Sequence, residues 1–210
     1  MNISTIKAYI KQHPKAKIFL HYLLMDSQGA CPRKWVKLFV NPIFLHKGKG
    51  SKIRKWTVMN VSPINPFYLG ARSVIEYFSI IDNGVGAIQI GNDSRVGLRN
   101  TIIGPVTIGN QVILAQNVVL SGLNHNYENI NLPIRKQGVK VASIVIEDEC
   151  WIGANSTITA GVHIGKHSIV AGGSVVVKNI PDYCIVAGNP ARILKQYDFE
   201  KKEWVKVNKK

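Results

Sequence analysis

Residues 90–124 read IGNDSRVGLRNTIIGPVTIGNQVILAQNVVLSGLN, and residues 146–180 read IEDECWIGANSTITAGVHIGKHSIVAGGSVVVKNI. In each stretch a bulky aliphatic returns at every sixth position. The first run is Ile90, Val96, Ile102, Ile108, Leu114 and Leu120; the second is Ile146, Ile152, Ile158, Ile164, Val170 and Val176. Four residues after each stands a compact residue: Ser94, Asn100, Val106, Val112, Val118 and Asn124, then Cys150, Ser156, Val162, Ser168, Ser174 and Ile180. A helix repeats at 3.6 residues and a half-buried strand at 2, so neither accounts for a period of six. The period fits a short strand followed by a sharp corner, with the aliphatic inside and the compact residue where the chain turns. Gly91, Gly97, Gly109, Gly153 and Gly165 directly follow the aliphatic and ease that corner. Three such faces make one triangular coil of 18 residues. Successive coils pair as parallel strands about 4.8 Å apart and bury one continuous core. The fold class is therefore all-β, a parallel β-helix.

The period begins earlier with Leu69, Ile75 and Ile81, whose compact partners are Ser73, Ser79 and Val85. A three-residue phase slip at Ala87 to Gln89 then precedes Ile90 and reads as an irregular turn held at Gly84 and Gly86. The larger break lies between Leu120 and Ile146, 26 residues apart. Its segment 126–142, NYENINLPIRKQGVKVA, has no aliphatic hexad and reads as a loop leaving one corner. Long loops in compact domains are more often functional than incidental.

The 210 residues carry a net charge of +15, unevenly placed. Residues 1–60 hold 12 Lys/Arg against one acid, Asp26; residues 61–190 hold 8 of each; residues 191–210 hold 7 against 3. The organisation expected is a basic helical appendage over 1–60, a β-helix over 61–190 and a C-terminal arm over 191–210. A neutral prism argues against a nucleic-acid groove. The basic flank suits an anionic substrate, phosphates or a membrane surface. Cys31, Cys150 and Cys184 match no zinc spacing and suit a reducing cytoplasm. The apolar run Ile18 to Met25 is too short to span a bilayer.

Helix is expected over residues 2–30, interrupted near Pro14, with Lys7, Lys11, Lys15 and Lys17 on a basic face and Ile18, Tyr22 and Met25 on an apolar one. A second helix starts after Pro32, with Trp35, Leu38 and Phe39 as its apolar side. Two compatible roles stand open for the appendage. It caps the first coil of the solenoid, or it attaches peripherally to anionic headgroups at the inner face of a membrane. The segment Gln196 to Val207 reads as a small hairpin on the solenoid.

Among six histidines, His125 stands where the first run ends and the loop begins. A histidine at a rigid corner is well placed as a general base, since its pKa lies near 6.5. The loop after SGLNHNYENINLPI, the stretch CWIGANSTITAGVHIG and the ending AGGSVVVKNIPDYCIVAGNPAR resemble the left-handed β-helix acyltransferases. The resemblance is strongest to the maltose/galactoside and capsule-sugar O-acetyltransferases, and covers about residues 68–197. It implies a left-handed coil, acetyl-CoA as acyl donor, and no metal. It also implies a homotrimer whose sites lie between subunits, and a small-molecule or lipid-linked sugar as acceptor. By that resemblance His125 is the base that deprotonates an acceptor hydroxyl, with no covalent intermediate. Trp151, Ala154, Gly172, Gly173 and Val177 line the pantetheine arm, and Lys178, Arg192 and Lys195 serve the coenzyme phosphates. Arg192 has a backbone carbonyl as its other prospective partner. The acidic sugar contact of the family falls near Ile103 and is lost here. Arg95, Arg99, Asn100 and Asn124 are left as acceptor contacts, and the arginines suit an anionic or phosphate-linked sugar. Two other readings compete: N-acylation of an amino sugar, and a metal protein resembling the γ-carbonic anhydrases that uses His163 and His167.

Overall fold

The structure is a computed structural model that describes residues 12–26 and 31–207. Lys7 and Lys11 lie outside the described residues. The prism consists of six coils, each with one strand on each of three faces, here A, B and C. Coil 1 comprises Leu45–Lys47, Lys52–Ile53 and Val58–Asn60; coil 2 comprises Phe67–Leu69, Val74–Ile75 and Ile80–Asp82. Coil 3 comprises Ile88–Ile90, Arg95–Val96 and Thr101–Ile103; coil 4 comprises Val106–Ile108, Ile113–Leu114 and Val119–Ser121. Coil 5 comprises Ile144–Ile146, Trp151–Ile152 and Thr157–Ile158; coil 6 comprises His163–Ile164, Ile169–Val170 and Val175–Val176. Faces A and C are six-stranded and wholly parallel, while face B continues into a hairpin to reach nine strands.

All twelve aliphatics of the two runs are buried and form one core cluster with Phe67, Leu69, Ile75 and Ile81. The compact slot is buried as well, and its polar members close the corners. Ser94 Oγ donates to the Gly109 carbonyl at 2.8 Å, and Ser156 Oγ to the Ala171 carbonyl at 3.2 Å. The ladder leaves few buried backbone groups unpaired, and these hydroxyls serve the corner carbonyls that strands cannot reach. Asn124 and Val85 in that slot are exposed, and both lie where extra residues leave the prism at a corner.

Coil 1 runs from 45 to 60, inside the segment read as appendage. Its hexad slot on face A is taken by exposed Lys47, which pairs in register with Leu69, so the period is masked there. Every departure from an 18-residue coil falls at the third corner, between faces C and A. Coils 1 and 2 are 22 residues apart at Leu45↔Phe67, coils 2 and 3 are 21 apart at Phe67↔Ile88, and coils 4 and 5 are 38 apart at Val106↔Ile144.

The appendage contains α1 (Pro14–Leu24), a π-helical turn Val36–Val40 and a short α2 (Asn41–Phe44). Leu24, Met25 and Val36 form their own small cluster, apart from the prism core. Asn41 Nδ2 donates to the Val61 carbonyl at 2.6 Å and ties α2 to the third corner. The apolar sides differ from expectation. Met25 is buried, but Ile18, Tyr22, Leu38 and Phe39 point outward, because Leu20, Val36 and Val40 supply the packing instead. No helix among the described residues is long and apolar enough to cross a membrane. At the other end Ala191–Asp198 pairs antiparallel with Cys184–Gly188 and Glu203–Lys206, giving the expected hairpin. Tyr183, Tyr197, Phe199 and Trp204 pack edge to face along it.

Candidate active site

The 26-residue break is an ordered ribbon. Leu123–His125 pairs antiparallel with Val139–Val141, placing His125 opposite Val139. Beyond it the chain turns through a 3-10 helix, Ile134–Lys136, and returns. Gln137 holds this excursion together. Its Nε2 donates to the carbonyls of Asn129 and Leu132, each at 2.8 Å, and its Oε1 accepts from the Asn129 N–H at 3.0 Å. Its backbone carbonyl accepts from Asn126 Nδ2 at 3.1 Å. The ribbon stands on the third corner through the Gly122 N–H, which donates to the Ile103 carbonyl at 2.9 Å. His125 and Asn124 are exposed beside this base. The ribbon also exposes Tyr127, Ile130, Leu132, Ile134, Val139 and Val141, an apolar surface that the chain itself leaves uncovered. Exposed apolar patches of this kind mark contact surfaces.

The remaining candidates fall into three groups. Val177 and Lys178 are exposed at the third corner after coil 6, the same corner as His125. Arg99, Ala154, Gly172 and Gly173 lie at the second corner, between faces B and C. Gly173 has φ +72, and a Cβ there would meet nothing within 4 Å. That open, left-handed position accepts a close backbone approach by a ligand. Trp151 and Arg95 project from face B, in the outward row that runs Arg95, Ile113, Trp151, Ile169 and Ile185. Lys195 joins the row through its pairing with Ile185. Within one chain, then, His125 shares its corner with Val177 and Lys178 but not with Trp151 or the glycines.

Several assignments change on inspection of partners. Asn100 is not available to an acceptor. It is fully buried, its Nδ2 donates to the carbonyls of Gly97 and Ala115 at 3.0 and 2.9 Å, and its Oδ1 accepts from the Val118 N–H. Arg95 is partly committed, with Nη2 at 2.9 Å from Glu76 Oε1, and Arg54 holds the other oxygen at 3.5 Å. Arg192 donates to the carbonyls of Ala191 and Pro190 at 2.9 and 3.4 Å. His163 and His167 each face a glutamate of the preceding coil, Glu147 at 2.8 Å and Glu149 at 3.0 Å. The described residues hold no cluster of three His, Cys, Asp or Glu side chains placed for a metal.

The two buried thiols are unsuited to attack. Cys150 is buried with Sγ 3.1 Å from the Gly165 carbonyl, and burial pushes its pKa up to about 11. Burial also raises the Cys184 thiol. A nucleophilic thiol needs the opposite shift. Gln137, which the sequence pattern did not single out, is the clearest addition to the site. A polar side chain in an aliphatic-poor loop, beside a glycine, is a weak signal.

Residues 87–121 and 143–178 match the family described as the hexapeptide repeat of succinyl-transferase. Galactoside O-acetyltransferase of Escherichia coli K12 is 34% identical over 131 residues, 61% of each chain. The putative lipopolysaccharide biosynthesis O-acetyl transferase WbbJ of the same organism is 33% identical over 109 residues, 49% of this chain and 56% of that one. The chain thus spans less than two thirds of these relatives. Among solved structures, AntD, an N-acyltransferase from Bacillus cereus in complex with dTDP and 3-hydroxybutyryl-CoA, shares the fold. Its TM-score is 0.64 at 19% identity, over 79% of this chain and 90% of that one.

Proposed function

We propose that the chain is one of the hexapeptide-repeat acetyltransferases and that it moves an acetyl group from acetyl-CoA to a hydroxyl of a sugar. The observation that carries this reading is His125, exposed at a corner with its backbone fixed by the ribbon. A ring nitrogen of His125 takes the proton of the acceptor hydroxyl as its oxygen bonds to the thioester carbonyl carbon. The C–S bond then breaks, and the departing thiolate recovers the proton from His125. Acetyl-CoA supplies the activated acyl group. Direct transfer is favoured over an acyl-enzyme on either buried cysteine because burial disfavours the thiolate at Cys150 and Cys184. The open backbone at Gly172 and Gly173 suits the pantetheine arm, and Lys178 and Lys195 suit its phosphates.

His125 and Trp151 project from different sides of one prism, which favours a site completed by a second copy. The exposed apolar surface of the ribbon supports the same reading, with a trimer as the assembly. The acceptor is a surface-polysaccharide or lipid-linked sugar. Ile18, Phe19, Tyr22, Leu38, Phe39 and Ile43 are exposed next to the chain's basic end, a pattern suited to the inner face of an anionic membrane. Sedimentation with anionic liposomes at low salt tests that contact, and absence of binding removes it.

Thioester release from acetyl-CoA over a panel of sugars and amino sugars tests the chemistry. His125→Ala is expected to lower kcat by roughly 10²–10⁴-fold on the true acceptor. A loss of only a few fold refutes His125 as the base. Turnover confined to amino sugars refutes transfer to oxygen.

A further inference from the structure

The second corner of coils 1 and 2 carries a feature outside the residues assigned above to acetyl transfer. Trp56 and Phe78 occupy the same corner position, bracketed by the pairs Ile53↔Ile75 and Val58↔Ile80. Both adopt left-handed backbone, with φ +58 and +61. Further along the column this position holds Arg99, Asn117, Asn155 and Gly173. Asn and Gly enter that region readily, whereas a bulky ring there is a genuine outlier, and such outliers cluster at functional sites.

The two rings stack in parallel, with centroids 5.4 Å apart and planes 5° from parallel. Tyr77 leans in at 6.1 Å from Trp56. Trp56 is 67% exposed and Phe78 50% exposed, so the stack buries little of itself. Arg54 lies 5.8 Å over the Tyr77 ring and is held by Glu76. Lys52 and Lys55 line the same groove as Trp56 and Tyr77. Both lysines are exposed, and among the described residues no carboxylate pairs with either.

We propose that this groove binds an acidic saccharide chain. A sugar ring lays its C–H face on Trp56, and carboxylates of the chain meet Lys52 and Lys55. The proposal rests on the reading of the acceptor as a sugar and narrows it to an oligomer. Trp56 sits in coil 1, while His125 leaves the prism after coil 4. Three coil spacings are about 15 Å, further than one sugar ring reaches. The column from Trp56 and Phe78 through Arg99 and Asn117 to Gly173 follows one edge towards the coenzyme-assigned glycines.

Binding is measured on the full-length protein without acetyl-CoA, by tryptophan fluorescence and calorimetry. The probes are tetragalacturonate, neutral maltotetraose and thymidine diphosphate. Trp56→Asn removes the ring and keeps the corner, since Asn117 and Asn155 already occupy that position with φ +55 and +59. Tetragalacturonate is expected to bind saturably and to weaken with salt. Trp56→Asn, and separately the Lys52→Gln/Lys55→Gln pair, are each expected to weaken it by about tenfold, whereas Trp56→Phe changes it by less than about threefold. No saturable binding, or equal binding by a folded Trp56→Asn variant, overturns the proposal. So does maltotetraose or thymidine diphosphate binding as tightly, or a change of oligomeric state on removing the ring. Because no turnover is involved, failure here leaves the His125 thioester assay standing, and failure of that assay leaves this binding measurement standing.

Discussion

Gln137→Ala separates the order of the ribbon that carries His125 from the stability of the prism. The Gln137 side chain makes three hydrogen bonds, two from Nε2 and one to Oε1, all spanning the turn of the ribbon. Net contributions run about 0.5–1.5 kcal/mol each, and these sit at the low end because the bonds are exposed to solvent. About 2 kcal/mol of local stability is therefore removed. Since 1.4 kcal/mol is tenfold, the ribbon opens about thirty times more often. The core aliphatics are untouched, so the global melting temperature is expected to stay within about 1 °C. Native-state hydrogen exchange reads the difference. The Asn126 amide, bonded to the Gly138 carbonyl at 3.2 Å, should exchange faster, while the Ile113 amide, bonded to the Cys150 carbonyl at 2.9 Å, should not. On the proposed function, kcat falls while KM for acetyl-CoA holds, because Gln137 positions His125 and does not touch the donor. Unchanged protection of the ribbon, or equal loosening of Ile113, refutes the reasoning.

Three further outcomes follow from the same geometry. Asn100→Ala leaves the Val118 N–H and the Ala115 carbonyl without partners inside the prism, and should cost about 3 kcal/mol, read as a lower urea midpoint. Gly173→Asn keeps a left-handed corner, as Asn155 does one coil earlier, and fills the open space above it. On the proposed function it should raise KM for acetyl-CoA severalfold with little change in melting temperature. The Cys150 thiol is raised in the folded state to about 11, so the unfolded chain ionises first as pH climbs. Stability is whole below the unfolded thiol's value, about 8.5, and is lost as pH rises through 11, by roughly 3 kcal/mol. Cys150→Ser, the residue used in the same slot at Ser156 and Ser168, should flatten that part of the urea-midpoint profile.

The period of six located both clean runs because every coil must fill the same three inward slots, so one residue in six carries the fold. It failed at coil 1 for a physical reason. An end coil has a neighbour on one side only, and its hexad slot tolerates exposed Lys47. Asn100 was misplaced although the pattern held the answer. It stands four residues after Val96, in the slot that Ser94 and Ser156 fill, and that slot points inward. The position three residues after the aliphatic carries Trp56, Phe78, Arg99, Asn117 and Asn155, and has left-handed backbone at each. The aromatic pair was therefore visible as two exceptions in a column, once residues 22 apart were recognised as neighbours. His125 stood out where the period stopped, but the ribbon that fixes it did not. Its order comes from Gln137, whose partners lie within a segment with no periodicity to read.

The insertions explain why the site sits where it does. A parallel ladder keeps its register only if extra residues leave the strands, so each insertion must be looped out at a corner. In this chain all of them use the third corner, and they stack on one another. Asn83 Nδ2 donates to the carbonyls of Ser62 and Asn65 at 3.0 and 2.6 Å, and its Oδ1 accepts from the Ser62 N–H at 2.7 Å. That joins the insertion after coil 1 to the one after coil 2. Pro105 then fills the space between Gly86 and Gly122, where an added Cβ on either glycine would meet it at 2.7 Å. The last insertion is the ribbon itself, leaving from Gly122. His125 therefore rises from a corner braced through three coils below it, while its own strand projects beyond the prism. On the proposed function, that combination gives a fixed base and an imidazole free of the core, which is what direct transfer from a bound thioester requires.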